Sequence, residues 1–226
     1  MRNSTPAALG TALAGRRLGR PRRHGKWMLA PAGGPALALH FGMTGFLRFR
    51  ADDPPLHRHD RLVLELDHGE LRYRNMRMMG GVWLLRPGEG LEDAAGPLGP
   101  DAAALSREEL GAILDASRAQ LKALLMNQRR IAGIGNELSD ELLWHARLHP
   151  RRQAASLRAN EWARLHRALV EVIATSNRHG RIPTGNGWLK SQRGRREPRC
   201  PRCGAQVRRA TVAGRTAYWC PRCQPR

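Results

Sequence analysis

The sequence predicts an α+β protein: an antiparallel β-sandwich or barrel first, helices next, and a metal-stapled β-ribbon at the end. Three observations carry that expectation. Six short runs of strand character in the first half are separated by Pro, Gly and Asp turns. From Ser106 onward the apolar residues recur at helical spacing. All four cysteines lie near the C-terminus, as Cys200-Pro-Arg-Cys203 and Cys220-Pro-Arg-Cys223.

Thr5-Pro6 is a good cap and first-turn pair, so Ala7 to Ala14 reads as a short helix ended by Gly15. A basic stretch, Arg16 to Lys26, follows. The strand-like runs are Trp27 to Ala30, Ala36 to Phe41, Gly45 to Arg50, Leu62 to Leu66, Leu71 to Arg74 and Gly81 to Leu85. Gly88 to Pro100 is a Gly/Pro/acid-rich connection and marks a domain boundary. Ser106-Arg-Glu-Glu109 is a capping box, in which Ser and Glu satisfy each other's backbone amides. Leu110, Ile113 and Leu114 continue that helix, and Leu121, Leu124 and Leu125 the next. Asn136 to Ala146 forms a further one. Trp162, Leu165, Leu169, Val172 and Ile173 stripe a longer one. These stripes are core. Asn177 to Pro198 is polar, rich in Gly and Arg, and expected to be mobile. The division is residues 1–90, 91–180 and 181–226, without internal repeats.

Each C-x2-C pair can turn two thiolates toward one tetrahedral zinc. Residues 204–219 between them suit a hairpin, with Val207, Ala210 and Val212 on one arm and Ala213-Gly214 at the turn. Thr216, Tyr218 and Trp219 form the other arm, and Arg208, Arg209 and Arg215 make it basic. Two disulfides are the bland alternative. The rest of the chain has no cysteine and no signal peptide, which argues for a reducing cytoplasm. One structural Zn2+ on Cys200, Cys203, Cys220 and Cys223 is the expectation.

The formal charge of +20 and pI near 11.6 point to a polyanion, nucleic acid first. The competing explanation is compositional bias, because Arg vastly outnumbers Lys as a GC-rich genome would produce. The converse is useful: only Lys26, Lys122 and Lys190 remain, each worth a look as a primary amine. No apolar run approaches the ~20 residues that span a bilayer. A ribosome- or RNA-associated zinc-ribbon protein would also explain charge and finger.

Gly133-Ile-Gly135-Asn136 lies between two helices and opens the second. Its glycines let backbone approach a ligand, and the helix start offers amides to an anion, with Asn136 as N-cap. A purely structural helix–helix turn reads the same way. His40-Phe-Gly42-Met43-Thr-Gly45 follows a buried-looking strand, and its glycines would hold Met43 out on a tight turn. A Met so presented can wedge between bases; ordinary core filling is the alternative. Arg72-Tyr-Arg-Asn-Met-Arg77-Met-Met79-Gly80-Gly81 is a second strand-end loop, with an arginine among flexible apolar residues. His57 and His59 lack a third ligand at metal spacing. There is no P-loop, dinucleotide fingerprint or Ser/His/Asp set.

Together these segments resemble the formamidopyrimidine-DNA glycosylase/endonuclease VIII family of base-excision repair enzymes. The likeness rests on His40 to Gly45, Leu71 to Gly80, Leu98-Gly-Pro100, Gly133 to Glu137 through Leu148-His-Pro150, and the ribbon with Arg215. It runs in family order from about Gly15 to Gln224. It implies an N-terminal β-sandwich, a helix-two-turn-helix module and a zinc finger, with double-stranded, damaged or abasic DNA in the cleft between. It also implies a monomer associated with the nucleoid. Residue by residue, Lys26 matches a lysine that contacts DNA at the lesion, and His40 a histidine beside the active cleft. Met43 matches the wedge that fills the gap left by the extruded nucleotide, and Arg77 the arginine that addresses the orphaned base. Asn136 and Arg215 match phosphate clamps, and Lys122 falls on the helix where the family places a lysine.

The family's attacking group is an N-terminal Pro amine followed by Glu. This sequence begins Met1-Arg2-Asn3-Ser4, and Pro6 is internal. The expectation is that a catalytic helix and at least one sandwich strand are missing, leaving an unpaired edge. Met76, Met78 and Met79 stand where the family prefers a Pro, an Arg and an aromatic wedge, and 182–192 lacks a clear counterpart of the loop that caps oxidised guanine. Three readings follow: a fragment or mis-started gene for a glycosylase with AP lyase activity, a catalytically inactive binder or decoy for damaged DNA, or a weak lyase using Lys26.

Overall fold

Alternating small and apolar residues flanked by glycine favour extended backbone, and the first ninety residues fold accordingly. The computed structural model describes residues 1–52 and 55–226. After a short helix α1 (Pro6–Leu13) come seven strands: β1 (Arg22–His24), β2 (Trp27–Pro31), β3 (Ala36–His40), β4 (Gly45–Arg50), β5 (Asp60–Leu66), β6 (Gly69–Asn75) and β7 (Gly81–Leu85). They make an antiparallel four-stranded sheet ordered β1-β2-β3-β7 and an antiparallel three-stranded sheet ordered β4-β6-β5. Leu39 stands opposite Val82 and Leu37 opposite Leu84, so one face of the first sheet is apolar. That face packs with Tyr73, Leu47, Leu62 and Leu64 of the second, and Leu9 of α1 joins the same cluster. Each fully buried Leu contributes about 1.5–3 kcal/mol.

Two features differ from the sequence reading. Arg22–His24 is a strand, although all three residues are polar: as the edge partner of β2 it needs only backbone bonds. The outer edge of β7 is also partly occupied, where bare pairing groups were expected. Arg2 N donates to Val82 O at 3.0 Å, Asn3 Nδ2 to Leu84 O at 2.9 Å, and Leu84 N to Asn3 Oδ1 at 3.0 Å.

Met1–Pro97 forms one compact unit and Leu98–Arg226 a second. The first ends with a helical turn, α2 (Leu91–Ala95), inside the stretch read as a plain connection. The second carries α3 (Arg107–Asp115), α4 (Leu121–Met126), α5 (Asn136–His145) and α6 (Ala159–Arg178), then the hairpin β8 (Arg208–Val212) and β9 (Arg215–Trp219). The Ser106 capping box is present: Ser106 Oγ accepts from Glu109 N at 3.1 Å, and Ser106 N donates to Glu109 Oε2 at 2.8 Å. Leu110, Leu114, Leu121, Leu125, Ile131, Ile134, Leu142, Leu143, Leu165 and Leu169 build the second core. Residues 177–198, expected to be mobile, are pinned in part. A 3-10 turn at Leu189–Gln192 buries Leu189 among Trp144, Val207 and two of the cysteines.

Candidate nucleic-acid interface

In the first unit, loop chemistry brings two of the predicted residues together. Gly42 has φ +60, and a Cβ there would sit 2.8 Å from Gly80 N; a Cβ on Gly45 would come within 2.4 Å of Phe41 O. Only glycine permits so tight a turn. The turn leaves Met43 68% exposed, so the core-filling alternative falls away. The second loop reaches the same place: Arg77 Nη1 lies 3.7 Å from Met43 Sδ. Met76, Met78 and Met79, on the same loop as Arg77, are all more than half exposed.

The residue that fixes both loops, Asn75, gave no signal in the sequence. It is buried, and its amide donates to Tyr73 Oη at 2.8 Å and to Phe41 O at 3.4 Å. Its Oδ1 accepts from Met78 N at 3.0 Å and from Thr44 Oγ1 at 3.2 Å, and Thr44 Oγ1 in turn accepts from Arg77 N at 3.2 Å. Tyr73 Oη donates to His40 O at 2.8 Å. A cavity of about 490 Å3 opens beside this tip, lined by Arg2, Arg61, Tyr73, Asn75 and Met78 among others.

His40 is half-buried, its ring 4.9 Å from that of Trp27, its partner across β2 and β3. Burial, and then the charge of Lys26, hold its pKa below the ordinary histidine value. Lys26, in the β1–β2 turn, keeps an exposed side chain, yet the crowding of its amine pushes its pKa down as well. A desolvated amine is a better nucleophile at neutral pH than a free lysine.

In the second unit the glycine turn differs from its expected detail. Gly135, not Asn136, is the N-cap of α5; Ser139 N donates to Gly135 O at 2.8 Å. Asn136 is therefore the first helical residue, and its buried Oδ1 has no partner. The physical reason is that extended backbone at glycine caps a helix without a side chain. Gly133 has φ +110, and Gln128 folds over the turn, its Oε1 accepting from Gly133 N and its Nε2 donating to Ile134 O.

Lys122 is fully buried. Its ammonium donates to Asn136 O at 3.1 Å, Ser139 Oγ at 3.0 Å and Asp140 Oδ1 at 2.5 Å, which uses all three protons. Arg215 is exposed at the start of β9, beside the Ala213-Gly214 turn in which both residues have positive φ.

The four cysteine sulfurs lie within 4.8 Å of one another as free thiols, not as two disulfides. Sγ separations of 3.9 Å (Cys200–Cys223), 3.5 Å (Cys203–Cys220) and 3.4 Å (Cys203–Cys223) approach the edge of a tetrahedron, roughly 3.8 Å for Zn–S of about 2.3 Å. Trp144 Nε1 donates to Cys200 Sγ at 3.4 Å, the outer-sphere donor that thiolate sites use. The set fits one structural zinc. His57 and His59 belong to no comparable group among the described residues. No helix among them is long and apolar enough to cross a membrane.

Three family models match the chain. The formamidopyrimidine-DNA glycosylase N-terminal domain covers residues 1–82, the helix-two-turn-helix domain of the same enzymes residues 98–185, and the zinc finger of these enzymes and isoleucyl-tRNA synthetase residues 198–226. The likeness thus reaches the first residue instead of starting near Gly15. The formamidopyrimidine-DNA glycosylase of Roseiflexus sp. strain RS-1 is 38% identical over 95% of this chain and 84% of its own length. That of Thermus thermophilus is 39% identical over 95% and 85%. Among solved structures, the Lactococcus lactis Fpg bound to DNA containing an abasic site superposes with a TM-score of 0.86 at 26% identity, over 97% of this chain and 86% of that one. The same enzyme with DNA containing FAPY-dG gives 0.86 at 27%.

Proposed function

The chain belongs to the formamidopyrimidine-DNA glycosylase family, and from that premise we propose that it binds damaged or abasic duplex DNA and acts in base excision. The observation that carries this reading is the exposed tip on which Met43 and Arg77 meet. An unbranched apolar side chain held clear of its own protein can occupy the gap left by an extruded nucleotide. To Arg77, beside it, we assign the base left opposite. Asn136, at the start of a helix whose free amides favour anions, and Arg215, on the hairpin tip, are the phosphate contacts we assign. Labour divides over residues 1–90 for lesion reading, 91–180 for the glycine turn and 181–226 for the zinc-stapled hairpin. A monomer in the cytoplasm, on the nucleoid, is the corresponding setting.

The reaction assigned is base removal followed by strand cleavage. Among the residues described, Lys26 is the amine best suited to attack: desolvation of its amine lowers its pKa, and the pKa of His40 nearby is lowered as well. The amine nitrogen adds to the aldehyde C1′ of an abasic sugar and water leaves, giving a Schiff base. A base then removes a C2′ proton and the 3′ phosphate departs by elimination. We assign that proton to His40. Lys122 has no such role: its amine is buried and spent on the turn.

Borohydride trapping on abasic-site DNA tests the reading. A covalent product in the parent protein that is lost in Lys26→Ala supports both catalysis and the nucleophile. Trapping that persists in Lys26→Ala moves the amine elsewhere. No trapping with tight, salt-sensitive binding leaves the non-catalytic binder, and no binding at low salt overturns the reading altogether.

A further inference from the structure

The turn assigned to one phosphate and the hairpin assigned to another meet at a single carboxylate. Asp140, in the middle of α5, is 2% exposed. Its Oδ1 accepts from Lys122, which also holds the carbonyl of Asn136. Its Oδ2 accepts from Arg193 Nη1 and, at 3.2 Å, from the backbone amide of Tyr218 in β9. Tyr218 lies on the same strand as Arg215. The Arg193 guanidinium also stacks over the Tyr218 ring, 4.4 Å from its centroid. One carboxylate therefore touches α4, the linker and the ribbon, from the helix that begins at the glycine turn.

We infer that Asp140 is a positioning residue, fixing the register between the Asn136 turn and the Arg215 hairpin so that both can engage one DNA backbone at once. The inference rests on the DNA-binding reading above. Three further observations set it apart from ordinary packing. A buried ion pair is weak evidence for stability, because apolar residues fill such space as well; its best-attested use is to fix one arrangement against others. The neighbouring Glu141 does the same for the linker, accepting the backbone amides of Leu189 and Lys190. Trp144, one turn on, holds the cysteine end through Cys200 and lies beneath Arg202, 4.1 Å from its ring centroid. Burial raises the Asp140 carboxyl and lowers the Lys122 amine, and the attraction between the two opposes both shifts. Lys122, Arg193 and the Tyr218 amide together satisfy the carboxylate.

The test is a coupling measurement on zinc-loaded protein. Affinity for an abasic-site duplex is compared for Asn136→Ala, Arg215→Ala and their combination, each with Asp140 intact and with Asp140→Asn. With Asp140 intact the two losses are non-additive, by about tenfold, as expected for groups acting in one network. With Asp140→Asn they add. The slope of log affinity against log salt also falls by roughly one phosphate contact, about 0.9. Arg193→Met keeps the Lys122 pair, so it is the second variant should Asp140→Asn fold poorly, and it too should uncouple the clamps. Exchange of the Tyr218 amide, measured without DNA, should speed up at least about tenfold in either variant at unchanged zinc content. Coupling that survives in a folded, zinc-loaded variant, or an unaltered Tyr218 exchange rate, overturns the inference. Failure of the parent protein to bind any duplex sinks the DNA reading instead, while the exchange experiment still decides the role of Asp140.

Discussion

The loops 42–45 and 76–79 leave four methionines in water, whereas the glycine turn before α5 rests on a lysine with no exposed surface. Among the described residues, every large exposed apolar side chain except Val170 lies between Met43 and Met79. The first unit thus presents soft, polarizable, unbranched groups on loops held from beneath by Asn75. The second presents backbone amides and an arginine on elements locked by buried charge. A contiguous apolar tip on a protein surface marks something to be covered, and a buried network marks something that must not shift. In the proposed reading, shape falls to groups that adapt and phosphate to groups that are preset.

That contrast breaks most visibly on removing zinc. Binding of structural zinc contributes about 10–16 kcal/mol in small finger peptides, so a chelator should unfold residues 198–226 and abolish the phosphate contact proposed for Arg215. Circular dichroism melting with and without chelator checks it, and the first unit's transition should stay in place. Next comes the buried pair. Lys122→Met leaves Asp140 with only Arg193 and the Tyr218 amide and should cost about 3–5 kcal/mol, read as a lowered denaturant midpoint.

A smaller effect concerns pH. Burial lifts the Glu141 carboxyl to about 7 from its ordinary 4.5. A raised carboxyl binds its proton more tightly in the folded state, so its contribution is fully present below about 4.5 and is lost as pH rises through about 7. Asp140 slopes the same way, and His145, whose pKa burial lowers, the opposite way. Glu141→Gln should therefore flatten the fall in melting temperature between pH 4.5 and 7 relative to the parent. The smallest effect is at the tip. Met43→Ala should change stability by less than about 0.5 kcal/mol, as surface positions do, while weakening retention of abasic DNA more than of intact duplex. Equal losses on both would contradict the wedge assignment.

Much of this was legible in the residues. The six strand runs were delimited by Gly, Pro and Asp because those residues stop pairing, and the C-x2-C spacing fixed the metal site because thiolate geometry allows few alternatives. The Ser106 box and the helical stripes followed from local hydrogen bonding and period. What stayed hidden has long-range causes. β1 shows no alternation because Arg22, Arg23 and His24 form an edge strand that pairs with β2 through its backbone. Arg2 and Asn3 find β7 across the whole unit. Asn75 and Asp140 act through partners far along the chain, and polar burial has no periodic signature. One clue was present: Ser139-Asp140-Glu141 is a polar run set between Leu138 and Leu142-Leu143, and all three of its residues are buried.

If this chain recognises a gap in duplex DNA, competition binding on zinc-loaded protein shows it most directly. Abasic and intact duplexes of one sequence are titrated at the same moderate salt. Since a missing base spares the few kcal/mol of unpairing that extrusion otherwise costs, the abasic duplex should bind at least about tenfold more tightly. Indistinguishable affinities for the two would contradict the account.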